Sequence, residues 1–330
     1  MTFTIGAHLF HGGLWLAPLA STSNAAFRQL CLEFGCEQTV TEMVSSEALV
    51  RIGPQNEPRL RRAQGENRLI VQLFGANPRT MAQAARIVID YANADIIDIN
   101  MGCPVRKILG AGAGVALMRS PTLAHHLVRE VVRAAHTVPV TTKIRAGWDN
   151  EVNATQIAQA VQDAGASAII VHGRTRESFH TGQPRWDIIA AVKHAVQLPV
   201  IGNGGVRSHR QALDMIHQTG CDAVMIGRGA IGNPWVFRQT PTGEPYEPSP
   251  AERFATIRRH ISLSETYFGN STTSREMRKQ LVWYLKGMRA SSTLRARLHT
   301  MTSVAQMLQT LSNYEKNLQH DSTPISPALP

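Results

Sequence analysis

Short apolar runs rich in β-branched residues recur through the first 230 or so residues of this 330-residue chain, and segments with apolar residues three or four apart separate them. Repeated strand–helix units of this kind indicate a parallel sheet. Eight candidate strands predict a closed α/β fold, the (β/α)8 or TIM barrel. A doubly wound open sheet is the alternative, but no GxGxxG follows the first strand, which argues against a dinucleotide-binding form. The candidate strands are Leu14–Leu19, Gln38–Glu42, Leu69–Phe74, Ile96–Asn100, Val138–Ile144, Ala168–His172, Val200–Asn203 and Ala223–Gly227.

A proline-rich stretch then interrupts the pattern. Residues 240–250 (TPTGEPYEPSP) contain four prolines in eleven positions, which excludes regular structure. We therefore predict a barrel domain over residues 1–240 and a C-terminal all-helical domain over residues 241–330. Ser249 to Glu252 has the pattern of a helix-capping box. The final DSTPISPALP is expected to be disordered.

Polar residues follow nearly every candidate strand, where barrel enzymes place their catalytic groups. This pattern predicts an active site. His172 has a second interpretation as a satisfied core histidine, since it follows an apolar strand. The residues at these strand ends are Ala17 with Pro18, Glu42, Gln72, Asn100 to Cys103, Lys143 to Arg145, His172 to Arg174, Asn203 to Gly205, and Gly227 with Arg228.

Cys103 is the candidate reactive group of the stretch that follows the fourth strand. Gly102 permits unusual backbone angles and Pro104 fixes φ after the cysteine, so the thiol is predicted to sit on a rigid mount. A small buried thiol beside a turn is the alternative.

Two glycine-containing loops follow the seventh and eighth strands, where barrels often hold a phosphate. Gly204 and Gly205 let main-chain N–H groups approach it, and Arg228 adds a charged fork. A flavin mononucleotide (FMN) fits this arrangement. Lys143 has a rival interpretation as a Schiff-base nucleophile with a pKa lowered by Arg145. The motif offers no carboxylate for proton relay, which disfavours it.

Composition limits the partners and the compartment. The net charge of +10 favours polyanions. Four scattered cysteines, no signal peptide and no membrane span predict a reduced, cytoplasmic protein. At about 100° per residue, a basic stripe lies opposite an apolar face on one tail helix, and a second basic group covers residues 59–68. Either group is an RNA contact or a solvated surface. The stripe comprises Arg275, Arg278, Lys279, Lys286 and Arg289.

The chain resembles the tRNA-dihydrouridine synthases, most closely the bacterial B-type members. INMGCPV at residues 99–105 carries the likeness, together with TTKIRAGW at 141–148, VHGRTR at 171–176 and MIGRGAIGNPWVF at 225–237. The resemblance implies FMN as cofactor, NADPH as reductant and tRNA as substrate. It further implies a hydride from the flavin to C6 of a D-loop uracil and a proton from Cys103 to C5.

The resemblance also assigns roles to the strand-end residues. A monomer without metal is expected. Substrate contacts are assigned to Asn100, Arg174, Arg275, Arg278, Lys279 and Lys286. The alternatives are a barrel flavoenzyme acting on a free pyrimidine, like dihydroorotate dehydrogenase, and a tRNA-binding protein with vestigial chemistry. Flavin contacts are assigned to Pro18, Leu19, Ala20, Gln72, Lys143, His172, Asn203, Gly204, Gly205, Gly227 and Arg228.

Overall fold

The computed structural model describes residues 2–178, 182–240 and 244–320. The strands of the described residues are β1 Phe3–Ile5, β2 His8–Phe10, β3 Leu14–Leu16, β4 Gln38–Thr39, β5 Val44–Ser45, β6 Ile70–Phe74, β7 Ile96–Met101, β8 Val140–Gly147, β9 Ala168–Thr175, β10 Val200–Asn203 and β11 Ala223–Ile226. The central sheet has nine of these strands, all paired in parallel, in the order β4-β3-β11-β10-β9-β8-β7-β6-β5.

The sheet closes into a barrel where the segment that follows β4 meets β6. Val40, directly after β4, forms a parallel bridge with Ile70 of β6, and the Thr41 N–H donates to the Ile70 carbonyl at 3.0 Å. The segment from β4 to β5 thus acts as one irregular strand of the barrel. Its first part, β4, pairs with β3, and its last part, β5, pairs with β6. The prediction of a TIM barrel is confirmed, and the open-sheet alternative is wrong.

The interior of the barrel changes character along its axis. Side chains alternate along a strand, so every second residue points inward. Near the amino ends the inward residues are apolar: Trp15, Val40, Ile70, Ile96, Ala168, Ile170, Ile201 and Ala223 belong to one buried cluster. Two or four residues further on, the inward positions become polar, as at Gln72, Asp98 and Asn203. The barrel interior therefore has a hydrophobic floor at the amino ends of the strands and a polar layer toward their carboxyl ends.

A hairpin that the sequence analysis did not predict packs against that floor. β1 and β2 pair antiparallel, and Ile5 and Phe10 belong to the same buried cluster. The Phe10 and Trp15 rings lie 5.0 Å apart. Three-residue strands give too short an alternation to be recognised, and the packing on the barrel supplies their stability.

Helices follow the strands as the apolar spacing predicts. The predicted capping box at Ser249 and Glu252 is present in both directions, and Ser120 caps the helix that begins at Pro121 by accepting from the Leu123 N–H. The helices are α1 Ala25–Glu33, α2 Ser46–Ile52, α3 Pro78–Ala92, α4 Arg106–Gly110, α5 Pro121–Ala135, α6 Ala154–Asp163, α7 Trp186–Ala195, α8 His209–Thr219, α9 Pro250–Tyr284, α10 Ser291–Leu298 and α11 Val304–His320.

The chain divides into two compact units. One holds the chain up to Ala230 together with Val236–Tyr246, and the other holds Ile231–Trp235 and the chain from Glu247 onward. The division near 246/247 falls six residues beyond the boundary predicted from the proline-rich stretch. Part of that stretch, 241–243, and the tail predicted to be disordered, 321–330, lie outside the described residues.

The second unit contains α9, α10 and α11, with α9 interrupted at Gly269 (φ 74°, ψ 170°). Its interior holds the His260 ring, whose Nδ1 lies 3.1 Å from the Tyr284 hydroxyl, and burial lowers the pKa of that imidazole to about 3. Over the residues that the structure describes, no helix is both long and apolar enough to cross a membrane.

Candidate active site

A cavity of about 590 Å³ opens at the carboxyl ends of the barrel strands. All fourteen of the site residues predicted within the barrel line it, from Pro18 after β3 to Arg228 after β11. Arg145, noted at a strand end in the sequence, lines it as well, and so do Met43, Gln183 and Arg207, which the sequence analysis did not single out. The structure thus brings the strand-end residues together, while their individual roles remain predictions.

The floor of the cavity carries a buried polar layer that strand register creates. Gln72, Asp98 and Thr141 are direct neighbours on β6, β7 and β8, and each is 1% exposed. The Asp98 carboxylate accepts from Gln72 Nε2 at 2.6 Å and from Thr141 Oγ1 at 2.7 Å. Burial raises the pKa of Asp98 to about 6, while these two hydrogen bonds and the Lys143 charge lower it.

Asp98 corrects the sequence analysis on one point. The absence of a carboxylate in the Lys143 motif was used against the Schiff-base interpretation, but the fold brings one in from the neighbouring strand, because Asp98 on β7 interacts with the Lys143 ammonium. The signal was present in the sequence, since an aspartate two residues before Asn100 must share its face of the strand.

Lys143 lies one step above this layer and donates from Nζ to Asn203 Oδ1 at 2.9 Å. Asn203 Nδ2 in turn donates to the Met225 carbonyl at 2.7 Å. Burial lowers the pKa of Lys143 to about 8; the Asp98 carboxylate raises it and the Arg145 guanidinium lowers it. The cavity therefore holds a cation that its surroundings stabilise incompletely.

Cys103 is the one cysteine of the four that is not buried, which contradicts the alternative of a buried structural thiol. Its main-chain N–H donates to Asn100 Oδ1 at 2.9 Å, and its carbonyl accepts from the Val115 N–H at 3.1 Å. Gly114 (φ 64°) makes that second contact possible, since a Cβ there would lie 2.6 Å from the Cys103 carbonyl oxygen.

The predicted rigid mount is therefore present, with a different cause from the expected one. The left-handed glycines of this stretch are Gly112 (φ 70°) and Gly114, rather than Gly102. Burial raises the pKa of the Cys103 thiol, and a hydrogen bond from the Val105 main chain and the Arg145 charge lower it. The thiol is consequently protonated at neutral pH.

Arginines concentrate on one side of the cavity. Arg145 donates from Nε to the Gly102 carbonyl at 2.7 Å, which ties β8 to the cysteine loop. Burial lowers the pKa of Arg174, and the charges of Arg228 and Arg207 lower it further. Guanidinium groups close enough to affect one another in this way make this side of the cavity favourable for an anion.

Glycines after β10 line the same cavity. Gly204 (φ 124°) and Gly205 (φ 82°) have backbone angles that favour glycine, and a Cβ would lie 2.9 Å from the His172 ring in the first case and 2.7 Å from Pro184 in the second. Trp186 Nε1 holds the loop by donating to the Gly204 carbonyl at 3.0 Å. His172 borders the cavity with Arg174 Nη1 3.2 Å from its Nε2, so the interpretation as a core histidine is wrong.

The two predicted basic groups behave differently. In the group at residues 59–68, Arg62 pairs with Asp95 at 2.7 Å, and Arg68 donates to the Leu9 carbonyl at 2.7 Å. Asp95 precedes β7 and Leu9 lies in β2, so these two arginines lie at the amino ends of the strands, away from the cavity. Their contacts favour a structural role.

The stripe in the second unit is exposed but not wholly helical. Arg275 and Lys279 are exposed on α9, and Arg278 is half-buried. Since α9 ends at Tyr284, Lys286 and Arg289 lie beyond it, and the prediction of one helix through residue 289 is wrong. Trp283, which the sequence analysis missed, is 44% exposed, with Lys286 Nζ 5.4 Å from its ring centroid.

The fold and this cavity define a (β/α)8-barrel protein with clustered arginines and a mounted thiol at the carboxyl ends of its strands. A family model described as dihydrouridine synthase (Dus) matches residues 15–320. The chain belongs to that family. A solved structure titled "Crystal structure of TcOYE with pHBA" shares the fold, with a TM-score of 0.55, 11% identity, and coverage of 81% of this chain and 97% of the other.

Curated relatives span nearly the whole chain. The probable tRNA-dihydrouridine synthase of Treponema pallidum is 39% identical, covering 88% of this chain and 89% of the relative. The tRNA-dihydrouridine synthase B of Shewanella oneidensis is 40% identical, covering 85% and 88%. The protein of the same name from Escherichia coli K12 is 37% identical, covering 95% and 99%.

Proposed function

We propose that this protein is a B-type tRNA-dihydrouridine synthase that uses FMN and NAD(P)H to reduce the C5–C6 double bond of a D-loop uridine. The observation that carries the proposal is Cys103, a protonated thiol held at the rim of a cationic barrel cavity in a chain of this family. Saturating the double bond adds a hydride at one carbon and a proton at the other, so the site must supply a proton donor.

The cavity fits FMN on the evidence of its own residues. Gly204 and Gly205 leave room that a Cβ would fill, and Arg207 and Arg228 bring positive charge to the same place. The Lys143 ammonium would place a positive charge beside the electron-rich part of the cofactor. Bound FMN supplies the hydride for C6 of the uracil.

Cys103 would then donate its proton to C5. Burial keeps the thiol protonated at neutral pH, and the contacts of its main chain with Asn100 and Val115 hold it in place. A thiol with this protonation state and fixed position suits general-acid catalysis. Asn100 and Arg174 line the same cavity and are proposed to contact the target base, which must leave its stack to enter.

The second unit would bind the tRNA backbone. Arg275, Lys279 and Lys286 are exposed on it, and Trp283 adds an exposed aromatic ring among them. Basic side chains interleaved with an aromatic ring form a surface typical of single-stranded and folded RNA contacts.

Two other activities make different demands on the chain. A barrel flavoenzyme acting on a free pyrimidine needs the cavity but not the basic surface of the second unit. A Schiff-base enzyme would use Lys143, whose pKa of about 8 suits it, but it has no use for a mounted thiol acid. Binding of tRNA and trapping of Lys143 by borohydride with a carbonyl substrate separate these possibilities.

The deciding experiment is Cys103→Ala, with Cys221→Ala as the matched control because Cys221 is buried away from the cavity. Cys103→Ala should retain FMN, its reduction by NADPH and tRNA binding, and should lose turnover by about 10²–10⁴-fold. The assay is oxygen-free reoxidation of pre-reduced enzyme by tRNA, with dihydrouridine measured in the product. Wild-type reoxidation and dihydrouridine formation by Cys103→Ala would contradict the proposed role.

A further inference from the structure

A continuous chain of hydrogen bonds links the buried Asp98 carboxylate to the main chain of Cys103. Gln72 Nε2 donates to Asp98 Oδ2 at 2.6 Å, and Gln72 Oε1 accepts from Asn100 Nδ2 at 2.8 Å. Asn100 Oδ1 then accepts from the N–H groups of Gly102 and Cys103 at 3.2 and 2.9 Å. Asp98, Gln72 and Asn100 are 1%, 1% and 7% exposed, so little water competes with these bonds.

The negative charge of Asp98 determines which group donates and which accepts in each of these hydrogen bonds. An ionised carboxylate only accepts hydrogen bonds. Gln72 must therefore turn its amide nitrogen toward Asp98, which leaves its oxygen for Asn100. Asn100 must then present its own nitrogen to Gln72, which leaves its oxygen for the Cys103 N–H. Reversing either amide would place two donors or two acceptors against each other in a buried site, which is costly.

Asp98 remains ionised at neutral pH although burial raises its pKa. Its second oxygen accepts from Thr141 on β8, and Lys143 on the same strand contributes a positive charge. Burial opposes ionisation, but the resulting pKa of about 6 remains below neutrality.

We propose that Asp98 is a positioning residue, whose carboxylate sets the amide orientations of Gln72 and Asn100 and thereby holds Cys103 at the rim of the cavity. Asp98 itself would not touch the substrate. The consequence for catalysis rests on the proposed function of Cys103, but the positioning of the thiol does not.

The test measures the reactivity of Cys103 as well as turnover. Iodoacetamide should label Cys103 selectively in the folded protein, since Cys31, Cys36 and Cys221 are buried. Asp98→Ala removes the acceptor that orients Gln72. The freed loop should expose the thiol, relieve the burial that raises its pKa, and increase the alkylation rate about tenfold. Reoxidation of the pre-reduced enzyme by tRNA in a single turnover should slow by at least about tenfold, which is the scale expected for a misplaced general acid.

Thr141→Val is the matched control. It removes the other hydrogen bond to Asp98 from an equally buried position but leaves the branch to Cys103 intact. Both variants should lower the melting temperature by several degrees, whereas alkylation and single-turnover rates of Thr141→Val should stay within about twofold of wild type. Asp98→Asn should restore both rates, because its oxygen can accept from Gln72 while its nitrogen donates to the Thr141 hydroxyl.

Alkylation decides the proposal whether or not the protein makes dihydrouridine. If Asp98→Ala lowers the melting temperature but leaves Cys103 alkylation within twofold of wild type, Asp98 only stabilises the fold and the proposal is overturned. Should Asp98→Ala fail to fold, Gln72→Met removes the side-chain amide that links Asp98 to Asn100. An unchanged rate of Cys103 alkylation in that variant overturns the proposal equally. Failure of dihydrouridine synthesis in the wild type with accelerated alkylation in Asp98→Ala would reject the enzyme function alone.

Discussion

Replacing Lys143 by methionine should make the protein without bound nucleotide more stable at neutral pH. Burial lowers the pKa of Lys143 from 10.5 to about 8, so the folded state disfavours the ammonium form. At 1.36 kcal/mol per pKa unit, the difference of about 2.5 units corresponds to ~3.4 kcal/mol of unfavourable free energy at pH 7.

Two losses offset part of that gain. Methionine cannot donate to Asn203 Oδ1, so the variant loses a hydrogen bond that contributes about 1 kcal/mol to stability. The Asp98 carboxylate also loses a favourable charge, and water in the cavity screens the ammonium. We therefore expect Lys143→Met to raise the free energy of unfolding at pH 7 by about 1–2 kcal/mol, in keeping with the stability cost of functional sites.

The pH dependence tests the origin of the effect. A base whose folded pKa is lowered makes the fold more stable as pH rises from the folded to the unfolded value, because the unfolded state then binds more protons. With values of about 8 and 10.5, the wild type should gain ~2.5 kcal/mol between pH 7 and pH 10, and Lys143→Met should not. The advantage of the variant should vanish or reverse by pH 10.

Urea unfolding at pH 7, 8.5 and 10 measures both quantities. Titration of all other groups is common to the two proteins and cancels in their difference, apart from Asp98. Its pKa rises when the Lys143 charge is removed, which shifts the difference in the same direction. Lys107→Met, at an exposed lysine, is the control and should stay within about 0.5 kcal/mol of wild type at each pH. A difference between Lys143→Met and wild type that is independent of pH would refute this reasoning.

Two further substitutions test the cofactor and RNA sites. Arg228→Ala should weaken FMN retention by about 1.5–3 kcal/mol, measured by fluorescence titration of the apoprotein, and a protein that never binds FMN would contradict the cofactor assignment. Replacing Arg275, Lys279 and Lys286 by glutamine should weaken tRNA binding and reduce its salt slope by up to about 2–3, while circular dichroism stays unchanged because the apolar face of α9 is intact. Unchanged affinity and slope would identify the stripe as a solvated surface.

The sequence by itself determined the barrel and the location of its site. Eight apolar runs alternating with helices admit few architectures, and polar residues at the carboxyl end of each run must meet when parallel strands close into a ring. Family motifs at residues 99–105 and 225–237 added the chemistry. These inferences succeed because they depend on local periodicity and on the common direction of the strands.

Only the tertiary structure decided the contacts within the site. Strand register placed Asp98 between Gln72 and Thr141, and no local pattern contains the relative shift of β6, β7 and β8. Helix periodicity likewise extended α9 through Arg289, whereas the helix ends at Tyr284, shortly before Gly287 (φ 83°). The pKa values of Lys143 and Cys103 depend on burial and on charges from other strands, so they exist only once the chain has folded.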